Sequence, residues 1–129
     1  MLVRDVMSRV VATIEPTESA EHARVMMQAR AIHHLVVAEG DQLLGVVSHR
    51  DLGGTHGDDV CAGRVVRDLM ISDVICGAPE MTLPQAAARM RARSIGCLPV
   101  LEGGKLVGIL TRFDLLEAIE RAGWPEFRT

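Results

Sequence analysis

The chain has 129 residues, a formal net charge of −3, 48% apolar residues, 24% charged residues and only 2% aromatic residues. It is long enough to bury a core and too apolar and weakly charged to stay disordered. The mildly acidic balance argues against binding nucleic acid by phosphate neutralisation, and the near absence of aromatics removes the stacking platforms of single-strand binders.

From the N-terminus, Met1 to Met7 has no hydrophobic signal segment, and no later apolar run approaches the roughly 18 residues of a membrane span. Val10-Val11-Ala12-Thr13-Ile14 is a β-branched run and predicts a strand, which Pro16 closes. Ser19 to Ala31 carries Ala23, Met26 and Met27 at helical spacing and predicts a helix. Leu35 to Ala38 and Leu43 to Val47 predict two strands, joined by the hairpin signal Glu39-Gly40-Asp41. A short helix is expected after Ser48, then a mobile linker from Gly53 to Asp59. The order then recurs. Asp73 to Cys76 predicts a strand ahead of Pro79. Thr82 with Gln85 forms a capping-box pattern for a helix running to about Arg93. Leu98 to Leu101 and Leu106 to Leu110 predict strands around Gly103-Gly104, and Arg112 to Ala122 predicts a last helix with Leu115, Leu116 and Ile119 on one face.

The recurrence is also literal. Val3-Arg4-Asp5-Val6-Met7 returns as Val66-Arg67-Asp68-Leu69-Met70, and the offset of about 63 residues holds without a gap to Leu52 and Leu115, with about 19 identities in about 50 positions. The chain is a tandem duplication: residues 1–62, including the Gly- and Asp-rich linker from about 53, and residues 63–129, including a C-terminal helix and tail. Each copy reads as β-α-β-β-α, which places the fold in the α/β (α+β) class. One copy buries too little surface alone, so the two are expected to pack around a local two-fold with pseudo-symmetric clefts between them.

Gly45-Val46-Val47-Ser48-His49-Arg50-Asp51-Leu52 and Gly108-Ile109-Leu110-Thr111-Arg112-Phe113-Asp114-Leu115 share one pattern: Gly, two apolar residues, Ser or Thr, two variable positions, then Asp. With the repeated Val-Arg-Asp-x-Met opening and the strands at Leu35-Val36-Val37 and Leu98-Pro99-Val100, the chain resembles a tandem CBS domain pair, the Bateman module. The resemblance covers nearly the whole chain. It implies a regulatory module, not an enzyme, that binds AMP, ADP, ATP or S-adenosylmethionine in clefts between the repeats and signals occupancy to an effector protein. It also implies a homodimer, with the helices after Ser48 and Thr111 and Leu52, Leu115, Leu116 and Ile119 as interface candidates.

The positions it implicates are Thr13, His33, His34, Ser48, His49 and Asp51 in the first repeat, and Cys76, Pro99, Thr111, Arg112 and Asp114 in the second. A hydroxyl at a strand end, beside backbone N–H groups, suits phosphate oxygens. The Asp carboxylate is suited to accept hydrogen bonds from ribose hydroxyls. His33-His34 stands where a nucleotide-binding relative carries His-Arg, so fixed positive charge is missing there, because imidazole titrates near neutrality. The second repeat has Gly96-Cys97 at that place, so the two sites are expected to differ, the Ser48/Asp51 site being better equipped for phosphate. Arg112 is the candidate cation of the other.

Other readings stand beside this one. Ser48-x-x-Asp51 and Thr111-x-x-Asp114 are also ordinary helix caps. The chain could serve as a ligand-free dimerisation module. His33, His34 and the cysteines could make a metal- or redox-responsive protein, although no zinc-finger spacing is present and no metal site is expected. Cys61, Cys76 and Cys97 make no CxxC pair, which points to a reducing compartment, the cytoplasm. Cys76 and Cys97, in apolar strand contexts, read as small core residues. Arg24, Arg30, Arg89, Arg91 and Arg93 read as a solvated helix face.

Overall fold

The computed structural model describes residues 1–122; the tail assigned to the second repeat, 123–129, lies outside the described residues. In chain order the elements are α1 (Val3–Val6), β1 (Thr13–Ile14), α2 (Ala20–Arg30), β2 (His34–Glu39), β3 (Gln42–Ser48), a 3-10 turn (Gly54–His56), α3 (Gly57–Cys61), α4 (Val66–Leu69), α5 (Leu83–Ala92), β4 (Cys97–Glu102), β5 (Lys105–Thr111) and α6 (Arg112–Ala122). Two compact units emerge: Val11–Val74, and Met1–Val10 together with the described residues from Ile75 onward. Their borders do not coincide with the sequence repeats, because the opening segment of each repeat groups with the elements of the other repeat.

In Val11–Val74, β1 runs parallel to β2 with Thr13 opposite Val36, and β2 pairs antiparallel with β3 with His34 opposite Ser48. Ser19 caps α2 by accepting the His22 N–H at 3.0 Å, and Ala31 ends the helix at φ 53°. Ala20, Ala23 and Met27 of α2 are buried with Leu35, Val37, Val47, Leu52, Cys61 and Val66. The incoming segment is held by backbone bonds: Ala20 N–H to Arg64 O and Val66 N–H to Glu18 O, both 2.9 Å, and Arg67 N–H to Pro16 O, also 2.9 Å. It then crosses β3, where Val46 and Ile71 exchange hydrogen bonds of 2.9 and 2.8 Å. Gly45 sits beneath this crossing. A Cβ there would lie 2.7 Å from Ile71 O and 2.8 Å from Met70 Sδ, which explains the glycine of the shared motif as a close-approach residue.

The other unit repeats the design. β4 and β5 pair antiparallel, and α5 begins with the expected capping box: Gln85 N–H to Thr82 Oγ1 at 3.2 Å and Thr82 N–H to Gln85 Oε1 at 3.0 Å. Leu83, Ala86, Met90, Leu98, Val100, Leu110 and Ala118 form its core with Val3 and Met7 from the chain start. Val3 N–H reaches Met81 O at 2.8 Å, Arg4 N–H reaches Pro79 O at 2.9 Å, and Ser8 exchanges two 2.9 Å bonds with Ile109 over Gly108.

Several expectations need correction. The first strand is only Thr13–Ile14, and Val10 is 86% exposed. The strand expected at Asp73 to Cys76 is absent; only a parallel bridge joins Gly77 to Val100. The cause lies in the partner strand. Val36 donates its N–H to Ala12 O at 3.1 Å, whereas the equivalent residue of β4 is Pro99, which has no N–H to give. No helix follows Ser48 directly; residues 49–53 are turns, and the segment expected to be a mobile linker carries the 3-10 turn and α3. Leu52, read as an interface candidate, is fully buried in the core of its own unit. On α6, Leu115 and Ile119 are half-buried, while Phe113 and Leu116 are exposed.

Candidate functional site

The C-terminal ends of β3 and β5 carry the same arrangement. Ser48 N–H donates to Asp51 Oδ2 at 2.8 Å, and Asp51 N–H donates to Ser48 Oγ at 3.0 Å. Thr111 N–H donates to Asp114 Oδ2 at 2.7 Å, and Asp114 N–H donates to Thr111 Oγ1 at 3.3 Å. At Thr111 these reciprocal bonds sit at the start of α6, as the helix-cap reading expects; at Ser48 they close a turn, since no helix follows there; both pairs are partly buried. Only Asp114 lies in the first turn of a helix; Asp51 lies in a turn. The capping bonds leave each hydroxyl proton to donate, and each carboxylate one further oxygen to accept. A site of this kind suits a ligand with both hydroxyl donors and acceptors.

Strand alternation sorts the implicated residues onto opposite faces. Leu35, Val37 and Val47 turn into the core against α2. Thr13, His34 and Ser48 therefore share the other face, by the registers Thr13 to Val36 and His34 to Ser48. In the second unit the matching face carries Cys97, Pro99 and Thr111, by Cys97 to Thr111 and Pro99 to Ile109. His34 and Thr13 of the first set have Cys97 and Cys76 as their equivalents in the second repeat, whereas Pro99 replaces the equally apolar Val36. Arg112 opens α6, exposed, and its N–H donates to Gly96 O at 3.1 Å.

His33 and His34, expected as a pair, do not act from one place. His33 instead meets His49: His49 N–H donates to His33 O at 2.8 Å, and the rings stand edge to face with centroids 6.2 Å apart. Both line an open pocket of about 400 Å³ on the α2 side, with Glu21, Arg24, Val25, Met27, Gln28, Ala31 and Ile32. The sequence reading placed Arg24 on a solvated face and missed this pocket. The available signal was the repeat itself, since Ala87 stands where Arg24 would recur.

The thiols are held protonated. Burial pushes Cys97 up to about 12. Burial also raises Cys76, with Arg89 pulling the other way while its Nη1 donates to Cys76 O at 2.7 Å. Burial raises Cys61, whose Sγ donates to Leu52 O at 3.2 Å. Thiols so placed are poor nucleophiles at neutral pH. Cys97 is buried as expected for a core residue, whereas Cys76 is only half-buried and lies outside any strand. Among the described residues, no group of three or more His, Cys, Asp or Glu side chains is placed to hold a metal ion, and no helix is long and apolar enough to cross a membrane.

Comparison with known proteins gives these features a context. The family model described as CBS domain matches residues 3–52 and 66–121. An inosine-5'-monophosphate dehydrogenase of Korarchaeum cryptofilum is 38% identical over 109 residues; the match covers 83% of this chain but only 22% of that enzyme. The chain thus spans about a fifth of such relatives. A CBS domain-containing protein, YhcV, of Bacillus subtilis is 29% identical over 88% of this chain and 81% of its own length. Among solved structures, CBSX2 in complex with AMP superposes with a TM-score of 0.83 at 28% identity, covering 94% of this chain and 97% of that one.

Proposed function

The chain belongs to the CBS domain family, which it matches twice, and on that premise we propose that it is a ligand-sensing regulatory module for adenosine-containing molecules. The observation that carries the reading is the duplicated pairing of hydroxyl and carboxylate at Ser48/Asp51 and Thr111/Asp114. The likeness to a structure solved with AMP supports it. In this reading the Asp carboxylate accepts hydrogen bonds from the ribose hydroxyls. The Ser or Thr hydroxyl donates to a phosphate oxygen, and backbone groups of the aliphatic strand faces read the base. Thr13, His34 and Ser48 make the first site the more polar one, and Arg112 supplies charge at the second.

The module has no catalytic role of its own. Its ligand shifts the population of conformations, and a partner protein reads the change. The exposed Phe113 and Leu116 of α6 support a homodimer, and three free cysteines support a reducing compartment such as the cytoplasm. The buried, protonated thiols weigh against a redox sensor.

Calorimetric titration with AMP, ADP, ATP, S-adenosylmethionine and adenosine tests the proposal. At least one is expected to bind saturably, with affinity lost in Asp51→Asn or Asp114→Asn. If none binds while the protein remains a stable dimer, the ligand-free interaction module is the better reading.

A further inference from the structure

We infer that the pocket between α2 and the His33/His49 strand ends binds a small organic oxyanion, a carboxylate or a phosphate ester, read by the Nε–Nη2 edge of Arg24. This inference uses His33 and His49, which the family resemblance also implicates, but not the hydroxyl–carboxylate pair that carries the adenosine reading: neither Ser48 nor Asp51 is among the lining residues.

The pocket, about 400 Å³, lies within the range of small-molecule sites. Arg24 supplies its fixed cation. Both carboxylates that hold Arg24 sit on one nitrogen, with Nη1 donating to Glu21 Oε2 and Asp58 Oδ1 at 2.8 Å each. Among the described residues, Nε and Nη2 donate no hydrogen bond, so the side of the guanidinium that suits a bidentate oxyanion has donors to give. Gly57 packs against the same guanidinium, and only its lack of a side chain leaves room there: a Cβ would clash with Arg24 Nε and lie 2.7 Å from Cζ.

His33 and His49 face the same space and bring ring nitrogens to the oxyanion. Glu21 also lines the pocket and stays on Nη1, so the site has room for one negative group and resists a polyanion. Val25, Met27, Ala31 and Ile32 then receive an apolar remainder. The second repeat carries Ala87, Gly96 and Arg112 at the positions of Arg24, His33 and His49, so this set is built once. Asp58 is 94% exposed, and an ion pair so exposed is weak enough for a ligand to compete with it.

The test is an NMR titration of the full chain with butyrate and with inorganic phosphate, following Arg24 Nε–H and the His33 and His49 ring signals, with butyramide as the uncharged control. At least one anion is expected to shift all three saturably; the two arms tell a carboxylate site from a phosphate site. Arg24→Ala is expected to weaken binding at least about tenfold, as for loss of a charged hydrogen-bond pair. Asp58→Asn is expected to tighten it, by up to about fivefold, because it removes an exposed competitor. Gly57→Ala keeps the charge, displaces the guanidinium and is expected to weaken binding, which covers the case of an Arg24→Ala chain that does not fold. If Arg24 merely braces α3 through Asp58, the Arg24 and Asp58 variants change affinity in the same direction. That result, or no saturable shift with either anion, overturns the inference.

Discussion

Gly108→Ala tests the crossing of the chain start over β5. The added Cβ would stand 2.7 Å from Met7 Sδ and 2.9 Å from Ser8 O. The Met7 side chain can swing aside, but Ser8 O is backbone and accepts the Ile109 N–H at 2.9 Å. Relief therefore requires the segment to lift off β5, straining both bonds between Ser8 and Ile109. Overpacking costs about 1–3 kcal/mol and each weakened backbone bond about 1 kcal/mol; since one displacement causes both, about 2–3 kcal/mol is expected. For a chain of this size that lowers Tm by roughly 8–12 °C. Denaturant unfolding gives the loss, and hydrogen exchange of the Ile109 amide shows whether it is local to the crossing. Gly45→Ala should cost more, because its nearest obstacle is the backbone Ile71 O at 2.7 Å. Gly103→Ala should cost less, about 1 kcal/mol, because nothing lies within 4 Å and only its positive φ of 59° resists. Stability of Gly108→Ala equal to that of the parent, with Ile109 equally protected, would refute the reasoning.

Three further outcomes are expected. Thr82→Ala removes the acceptor of the Gln85 N–H and should cost about 1 kcal/mol in thermal unfolding, as should Ser19→Ala at the start of α2. Asp51→Asn keeps an acceptor for the Ser48 N–H, so Tm should hold within about 2 °C, while calorimetry should show AMP affinity reduced at least about tenfold; unchanged affinity would leave Asp51 as a cap alone. The Cys97 thiol, raised from 9.0 to about 12 in the folded chain, keeps its proton where the unfolded chain would lose it. Its contribution to stability is therefore complete below pH 9 and is lost as pH rises above that value. The loss is about 1.4 kcal/mol by pH 10, and Cys97→Ala should flatten that part of the denaturation profile.

Much of the fold was legible because it rests on local rules. Ser19, Thr82 and Gln85 announced their helix starts, and Gly40 and Gly103 their hairpins. The strand missing before Pro79 failed for a non-local reason, since β-branched residues at Asp73 to Cys76 cannot reveal that Pro99 lacks the N–H to pair with them. The Gly53 to Asp59 stretch read as linker because its glycines and acids have low helix propensity. Arg24 packs over Gly57 and bonds Asp58 there, a contact made 34 residues apart in sequence.

At the site, the hydroxyl–carboxylate pairs were readable because their partners lie three residues apart. The pocket was not, because α2 and the two strand ends contribute to it from distant positions. By itself the sequence determined the duplication, the element order and the two capping motifs, all of which depend on near neighbours or on similarity between copies. Only the tertiary structure decided that each repeat's opening segment packs with the elements of the other repeat, and that His33 and His34 part to opposite sides of the sheet. Burial and backbone pairing settle those choices, and both are made between residues far apart in the chain.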